Sequence, residues 1–348
     1  MMNLITRRNW LALAAILAVS FPVAAWQPAD GKLSPPAKLD EPTRKAIDKA
    51  LAFLASKQNH DGSWTDGGFQ HNTAITSFAL LAFMSQGHLP GQGKYGPEVN
   101  KGGQFLIASA RDQDGLLVGA RGSGQVMYCH GMATLTLSQL WGVTQDDSIR
   151  PVLKRAVDLI IRCQNSEGGW RYQPKPEDAD ISVTVMQVMA LRAAKNAGLH
   201  VPDQTLQKAI AYIESCRDDK TGGYSYMPKQ RGPEFARTAA GVCVLQLAGL
   251  YDSKDIPKAV EFLEKRFSNK SHFWYGHYYA GHAMHTVGGK SWDSWYARFK
   301  ATVLPEQTPM GSWDGKKLDD NPVGPVYQTS IAVITLSIPT QFIPIFQK

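Results

Sequence analysis

The sequence predicts an all-α protein, an α/α toroid of six inner and six outer helices built from about six tandem repeats. Two observations predict this fold. A short glycine-containing segment recurs with starts at residues 58, 111, 164 and 217, so the spacing is 53 residues three times running. Each copy lies between an amphipathic segment and a segment that is apolar nearly all round. Regular units of this kind bury their apolar faces against one another.

The recurring segment combines a glycine with an aromatic or large apolar residue. Glycine permits a tight turn, and an aromatic ring can pack the joint between neighbouring units. We therefore expect each copy to form the corner between an outer and an inner helix. Four strong copies and two weaker ones are QNHDGSW (58–64), RDQDGLL (111–117), QNSEGGW (164–170), RDDKTGGY (217–224), SNKSHFWY (268–275) and MGSW (310–313).

The segment before each corner is amphipathic. In the third unit, Val152, Ala156 and Leu159 recur at helical spacing, whereas Lys154 and Asp158 fall on the opposite face. This pattern predicts a half-buried outer helix. The predicted outer helices are Glu41–Lys57, Pro97–Ala110, Pro151–Cys163, Pro202–Cys216, Lys254–Phe267 and Ser291–Val303.

The segment after each corner is apolar on every face, which requires burial on most sides. Six such helices alternating with six half-buried ones indicate two concentric rings. A ring that closes on itself needs no capping repeat. The predicted inner helices are Thr73–Ser85, Val126–Trp141, Ile181–Ala194, Phe235–Leu250, Tyr278–Val287 and Val326–Ile338.

The Q-x-x-D/E-G-x-W segments resemble the QW motifs of squalene-hopene cyclases and the repeats of protein prenyltransferase β subunits. The resemblance covers nearly all of residues 40–340. The C-terminal string that begins YYAGHAMH at Tyr278 also resembles exported bacterial prenyltransferase and squalene-oxidase repeat proteins. The resemblance implies an α/α toroid but leaves the chemistry open, because function resides in the site and not in the scaffold.

The N-terminus has the order of a signal peptide. Arg7 and Arg8 precede an apolar run from Trp10 to Val19, and small residues follow up to Ala25. A single membrane anchor is the alternative, but the whole stretch from Trp10 to Ala25 is 16 residues, which is short for a bilayer span, and it contains Pro22. We expect a bacterial protein exported by the twin-arginine or Sec route, periplasmic or secreted, without a transmembrane span in its mature form.

The predicted organisation is therefore a signal peptide over residues 1–25, a linker over 26–40, the toroid over 41–340 and a C-terminal tail over 341–348. The formal charge is +7 and becomes +5 without the two signal-peptide arginines. This charge is spread along the chain, so nucleic acid is excluded as a partner.

Four cysteines remain in the mature chain. Equivalent residues on adjacent helices lie beyond the reach of a disulfide, and repeats two and four do not touch in a ring. We expect buried free thiols at Cys129, Cys163, Cys216 and Cys243.

Polar residues at the inner helix starts are the candidate site, because these starts converge on one end of a central cavity. Aromatic faces there would hold an apolar, isoprenoid-like ligand. The predicted cavity residues are Tyr128, His130, Glu234, Arg237, His277, Tyr279 and Tyr327.

The candidate catalytic residues are Asp180 and Asp178. The resemblance to class II terpenoid cyclases, which use a D-x-D-D motif, implies that Asp180 donates a proton and Asp178 tunes it. In this chain the fourth position is Ile181, so the match is partial. The alternative is that Asp180 caps the third inner helix.

Zinc is the candidate cofactor to weigh, although we expect none. The resemblance to prenyltransferase β subunits implies Asp, Cys and His ligands, and Cys129 and His130 lie near the matching place. However, Met127 occupies the position of the first ligand. His282 and His285 are three apart and would share a helix face, which permits metal binding without requiring it.

Three functions stay open. The leading interpretation is binding of an apolar ligand, with cyclisation by an acid or a prenyltransferase-like reaction as an added activity. The first alternative is a non-catalytic scaffold that binds other envelope proteins. The second is a polysaccharide-active enzyme, which needs paired carboxylates across a groove, and only Asp178, Asp180 and Glu234 are available.

Overall fold

A computed structural model describes residues 38–119, 125–340, 343 and 345. These residues belong to one unit that runs from Pro36 to Lys348. The predicted signal peptide and residues 26–37 of the linker lie outside the described residues. No helix in the described ranges combines the length and the apolar character needed to cross a bilayer.

The described chain is all-helical, with isolated β-bridges but no strand. Two short 3₁₀ turns, Leu304–Glu306 and Ile338–Thr340, accompany the α-helices. The α-helices are α1 (Glu41–Ser56), α2 (Thr73–Met84), α3 (Gly96–Ala108), α4 (Val126–Thr144), α5 (Ile149–Arg162), α6 (Ile181–Asn196), α7 (Asp203–Ser215), α8 (Phe235–Leu247), α9 (Ile256–Lys265), α10 (Phe273–Val287), α11 (Gly289–Val303) and α12 (Pro325–Leu336).

The even-numbered helices form a closed inner ring. Each contacts the next in the order α2, α4, α6, α8, α10 and α12, and α12 returns to α2. The odd-numbered helices pack outside this ring, α3 on α2 and α4, and α5 on α4 and α6, while α1 packs on α12 and α2. The predicted toroid of six inner and six outer helices is confirmed.

A buried tryptophan ties together three of the described corners. The indole Nε1 of Trp170 donates to the carbonyl of Ile160 at the end of α5 (2.7 Å), and its backbone N–H donates to Thr184 Oγ1 in α6 (3.0 Å). Outer and inner helix are thus held by two buried hydrogen bonds. The same pair of bonds recurs in two other repeats, at Trp64 with Leu54 and Thr76, and at Trp313 with Val303 and Thr329.

The last corner closes the ring onto the first outer helix. Gln307 Nε2 donates to the carbonyl of Ala46 in α1 (2.7 Å). Gly311 has a φ of 91°, and a Cβ atom there would lie 2.5 Å from the carbonyl oxygen of Lys49. The glycine therefore supplies both the left-handed turn and the close approach to α1.

At four junctions among the described residues, the corner loop of one repeat also caps the inner helix of the preceding repeat. The Tyr226 carbonyl accepts the N–H of Ile181, the first residue of α6 (3.0 Å). Asp66, in the first repeat, accepts the Tyr327 N–H of α12 through Oδ2 (2.7 Å). The first N–H groups of a helix have no partner within that helix. Each of these bonds therefore makes the start of one inner helix depend on the following repeat. Two more such bonds join Tyr172 with Met127 and Asp319 with Trp274.

Two details differ from the sequence prediction. The fifth inner helix, α10, starts at Phe273 rather than Tyr278, because its loop has no glycine and Asp319 accepts the Trp274 N–H from another repeat. Ile343 and Ile345, in the predicted tail, are buried in the core, and the Ile345 N–H donates to Gln139 Oε1 in α4 (3.1 Å).

We expect Gly311→Ala to lower the free energy of unfolding by about 1–3 kcal/mol more than Gly315→Ala, because only the first adds an overpacked contact. Both glycines have a positive φ, but a Cβ at Gly315 would meet nothing within 4 Å. Urea unfolding of the two variants checks this. Equal losses would mean that the contact with α1 does not matter for stability.

Candidate functional site

A cavity of about 320 Å³ lies where the six inner helices begin. Every inner helix contributes residues from its first two turns, so the convergence predicted from the sequence is present. The size is at the lower end of known ligand sites. The lining consists of Phe69, Asn72, Ala74, Ile75, Phe78, Gln125, Tyr128, Cys129, Met132, Tyr172, Ser182, Met186, Tyr226, Glu234, Ala236, Arg237, His272, Tyr275, Val323 and Tyr327.

Aromatic rings dominate this lining. Phe78 packs edge-on against Tyr327, with ring centroids 5.1 Å apart, and Tyr128 lies 6.2 Å from Tyr172. Tyr128 and Tyr327 line the cavity as predicted, whereas the lining residues Tyr172 and Tyr226 were not predicted from the sequence. Both missed tyrosines lie two residues after a corner aromatic, so the repeat register itself could have found them.

Ion pairs lie beside the aromatic wall. Arg237, at the start of α8, pairs with Glu234 (3.0 Å), and both line the cavity as predicted. Arg171 pairs with Asp178 (3.0 Å). The guanidinium carbons of Arg171 and Arg237 lie 5.5 Å and 5.7 Å from the ring centroid of Tyr226, so cation–π contacts hold this ring.

Asp180 is fully buried and caps α6. Its Oδ1 accepts the N–H groups of Ser182 (2.9 Å) and Val183 (3.0 Å), and its Oδ2 lies 3.5 Å from Arg171 Nε. Desolvation raises the pKa of the Asp180 carboxyl despite these hydrogen bonds and the arginine. Neither Asp180 nor the exposed Asp178 belongs to the cavity lining. The geometry is that of a helix cap, and proton donation by Asp180 stays a prediction.

Three residues that the sequence placed in the cavity lie outside its lining. His130 is fully buried at a corner, where its Nδ1 accepts the Leu117 N–H (3.1 Å) and its Nε2 donates to the Ala156 carbonyl (3.0 Å). It occupies the position of the corner threonine in other repeats. Burial lowers its pKa to about 4, so the ring is neutral.

His277 is likewise a buried corner residue, in the fifth repeat. Its Nε2 donates to the carbonyl of Phe267 (3.1 Å), and burial lowers its pKa to about 3. Tyr279 is the third residue, fully buried with its ring centroid 4.9 Å from that of Tyr275. Periodicity placed these residues on inner helices correctly, but it could not distinguish a ring that packs a corner from one that faces the lumen.

The candidate metal ligands do not converge. Among the described residues, no group of three or more His, Cys, Asp or Glu side chains is placed to hold a metal ion. Cys129 lines the cavity with Asn72 Nδ2 3.4 Å from its Sγ. The rings of His282 and His285 lie on Tyr278 and Trp292 respectively. All four cysteines are buried and none forms a disulfide among the described residues, as the sequence predicted.

A sequence profile of the prenyltransferase alpha-alpha toroid domain matches residues 32–267. No curated protein sequence matches the chain significantly. The type II terpene cyclase MstE from Scytonema, in complex with geranylgeranyl dihydroxybenzoate, superposes with a TM-score of 0.59 at 14% identity, covering 86% of this chain and 98% of that chain.

Two sugar-processing proteins share the fold to a similar degree. An inactive variant of the alpha-1,6-mannanase of Salegentibacter sp. HEL1_6 gives a TM-score of 0.65 at 8% identity, over 86% of this chain and 99% of that chain. Cellobiose 2-epimerase from Bacillus thermoamylovorans B4167 gives 0.65 at 11% identity, over 85% and 98%. At such identities, the likeness establishes the fold and not the substrate.

Acid should destabilise the protein through its buried histidines. In the unfolded chain a histidine titrates near pH 6.5, whereas the pKa of folded His130 is about 4. The unfolded state therefore takes up the proton first as the pH falls from about 6.5 to 4. Over that interval each such histidine lowers the free energy of unfolding by up to about 1.4 kcal/mol per pH unit.

Urea unfolding as a function of pH checks this expectation. His130→Thr introduces the corner residue of other repeats and should make the free energy of unfolding less dependent on pH between about 6.5 and 4. The exposed His200→Thr is the matched control and should leave this pH dependence unchanged. An unchanged pH dependence in His130→Thr would contradict the role assigned to burial.

Asp180→Ala should lower the free energy of unfolding by about 1–2 kcal/mol, because it removes the cap of α6. Asp180→Asn retains a capping oxygen and should lose less. Thermal unfolding of both variants measures how much the cap contributes to stability. The asparagine variant also removes the acid, so a polyprene turnover that survives in Asp180→Asn would contradict proton donation by this residue.

Proposed function

This chain belongs to the prenyltransferase alpha-alpha toroid domain family, and from that premise we propose that it binds an apolar, isoprenoid-like ligand in its central cavity. The proposal rests on the aromatic residues that line the cavity at the end where the six inner helices begin. Aromatic faces give a flexible hydrocarbon ligand a large contact area, and transfer of the hydrocarbon out of water contributes favourable free energy to binding.

The apolar composition of the lining supports a hydrocarbon chain over a sugar as the ligand. Phe69, Phe78, Ile75, Met132 and Met186 provide apolar surface between the tyrosines. The two methionines are adaptable, so they can follow the branches of an isoprenoid chain. Transfer of apolar surface contributes about 25 cal/mol per Å² buried, which favours a ligand that fills the cavity.

The carboxylates argue against glycoside hydrolysis as the primary activity. That reaction requires two carboxyl groups facing each other across the scissile bond. In the described lining the carboxylate is that of Glu234, which Arg237 already pairs. The shared fold of the mannanase therefore does not extend to a matching arrangement of acids in this cavity.

Acid-catalysed cyclisation is a secondary proposal that rests on Asp180. Its raised pKa favours the protonated form that such a reaction needs. However, one carboxylate oxygen of Asp180 accepts hydrogen bonds from the start of α6, and the other lies beside Arg171. Asp180 contacts the cavity lining through its neighbour Tyr226. Binding thus has stronger support than catalysis.

The setting we propose is the cell envelope, because residues 1–25 have the charge and apolar order of an export signal. A scaffold for other envelope proteins is the competing function. A scaffold needs no ligand in the lumen, so occupancy of the cavity separates the two.

We expect Ala74→Trp to weaken ligand binding by about tenfold or more, because the indole would fill the cavity next to Phe78. Ala301→Trp, at an exposed site on α11, is the matched control and should bind as the wild type does. Native mass spectrometry of each protein purified from its own envelope, followed by lipid extraction, measures occupancy. A wild-type protein without any co-purifying or added isoprenoid would contradict the proposal.

A further inference from the structure

Four hydroxyl groups meet at the inner wall of the cavity, and we call them the hydroxyl cluster: Tyr128 of α4, Ser182 of α6, and Tyr275 and Tyr279 of α10. Tyr128, Ser182 and Tyr275 line the cavity, and Tyr279 lies one turn further along α10. The hydroxyls of Tyr128, Ser182 and Tyr279 surround that of Tyr275. Three different inner helices therefore bring hydrogen-bonding groups to one point.

The cluster is under-satisfied. The hydroxyl oxygens of Tyr275 and Tyr279 are buried, yet neither has a hydrogen-bond partner of suitable geometry among the described residues. A buried hydroxyl without a partner is destabilising, so native proteins seldom retain one without a reason. The Tyr275 side chain lines the cavity, so a ligand group that reaches its buried hydroxyl can supply the missing partner.

The charges near the cluster indicate what kind of group would fit. Burial raises the pKa of both the Tyr275 and the Tyr279 phenols, so these groups remain neutral and can donate. The arginine in the described lining, Arg237, is already paired with Glu234. An anionic group at the cluster would lose its hydration without gaining a counter-ion, whereas a neutral oxygen would gain hydrogen bonds.

We propose that the ligand carries a neutral oxygen function, a hydroxyl or a carbonyl, which the hydroxyl cluster binds while the hydrocarbon chain contacts the aromatic lining. This inference rests on the proposed function and specifies its ligand class. Tyr275 is the specificity-determining residue, because its side chain lines the cavity and its buried hydroxyl lacks a partner of suitable geometry among the described residues. Tyr279 lies outside the lining, with its hydroxyl next to that of Tyr275.

The test compares farnesol with the hydrocarbon that lacks its hydroxyl, both delivered from cyclodextrin and titrated by calorimetry. The wild type should bind farnesol about threefold to tenfold more tightly than the hydrocarbon, the range expected for one hydrogen bond. Tyr275→Phe should abolish this preference, and Tyr279→Phe should reduce it. Affinity for the hydrocarbon should change much less than affinity for farnesol, because both variants keep the aromatic ring.

Tyr212→Phe is the matched control. Tyr212 is a buried tyrosine on α7 whose hydroxyl also lacks a partner among the described residues, but it lies outside the cavity lining. It should keep the preference for farnesol. Thermal unfolding of each variant shows whether the fold is intact, and we expect no loss, since each substitution removes a hydroxyl that the protein itself leaves unpartnered.

Equal wild-type affinities for alcohol and hydrocarbon would overturn this inference and leave the proposed function standing. A preference for the alcohol that persists in Tyr275→Phe would also overturn it. Failure of the wild type to bind either probe would overturn both proposals.

Discussion

The fold depends on buried hydrogen bonds at the corners between outer and inner helices. Helices that are apolar on every face have no preferred orientation of their own, so packing alone would leave their register undefined. The indole of Trp170 fixes the end of α5, and its backbone N–H fixes the first turn of α6. Because such bonds are directional and buried, they set the angle at which each helix pair enters the ring.

The same corners make the structure a ring rather than an open arc. Loops of one repeat cap the inner helix of the repeat before it, and Asp66 does this for α12 across the junction of the first and last repeats. Gln307 joins the last corner to α1 in the same way. An open arc would leave the α12 N–H groups without this partner, which is unfavourable for a buried helix start.

Closure also produces the site. Since every inner helix starts from the same kind of corner, all six N-termini point to one end, and the residues of their first turns face a common space. The other end of the lumen receives Ile345, which bonds to Gln139. Scaffold and chemistry are separate in this arrangement, which is why proteins that act on terpenoids and on sugars share it. In this chain tyrosines line the cavity, and among them Tyr275 has a buried hydroxyl without a partner of suitable geometry in the described residues.

Periodicity and glycine turns are local properties, so the repeat, the alternation of outer and inner helices and the end at which the cavity lies could all be predicted from the sequence. It also identified Tyr128, Glu234, Arg237 and Tyr327 as lining residues, from their positions at inner helix starts. That His130 and His277 are corner residues could not be predicted, because their hydrogen-bond partners lie on other elements. Only the tertiary structure shows that Asp180 caps α6 outside the lining and that Tyr172 and Tyr226 face the cavity. Helical spacing gives the helix on which a side chain lies, whereas its partner across the ring depends on how the ring closes.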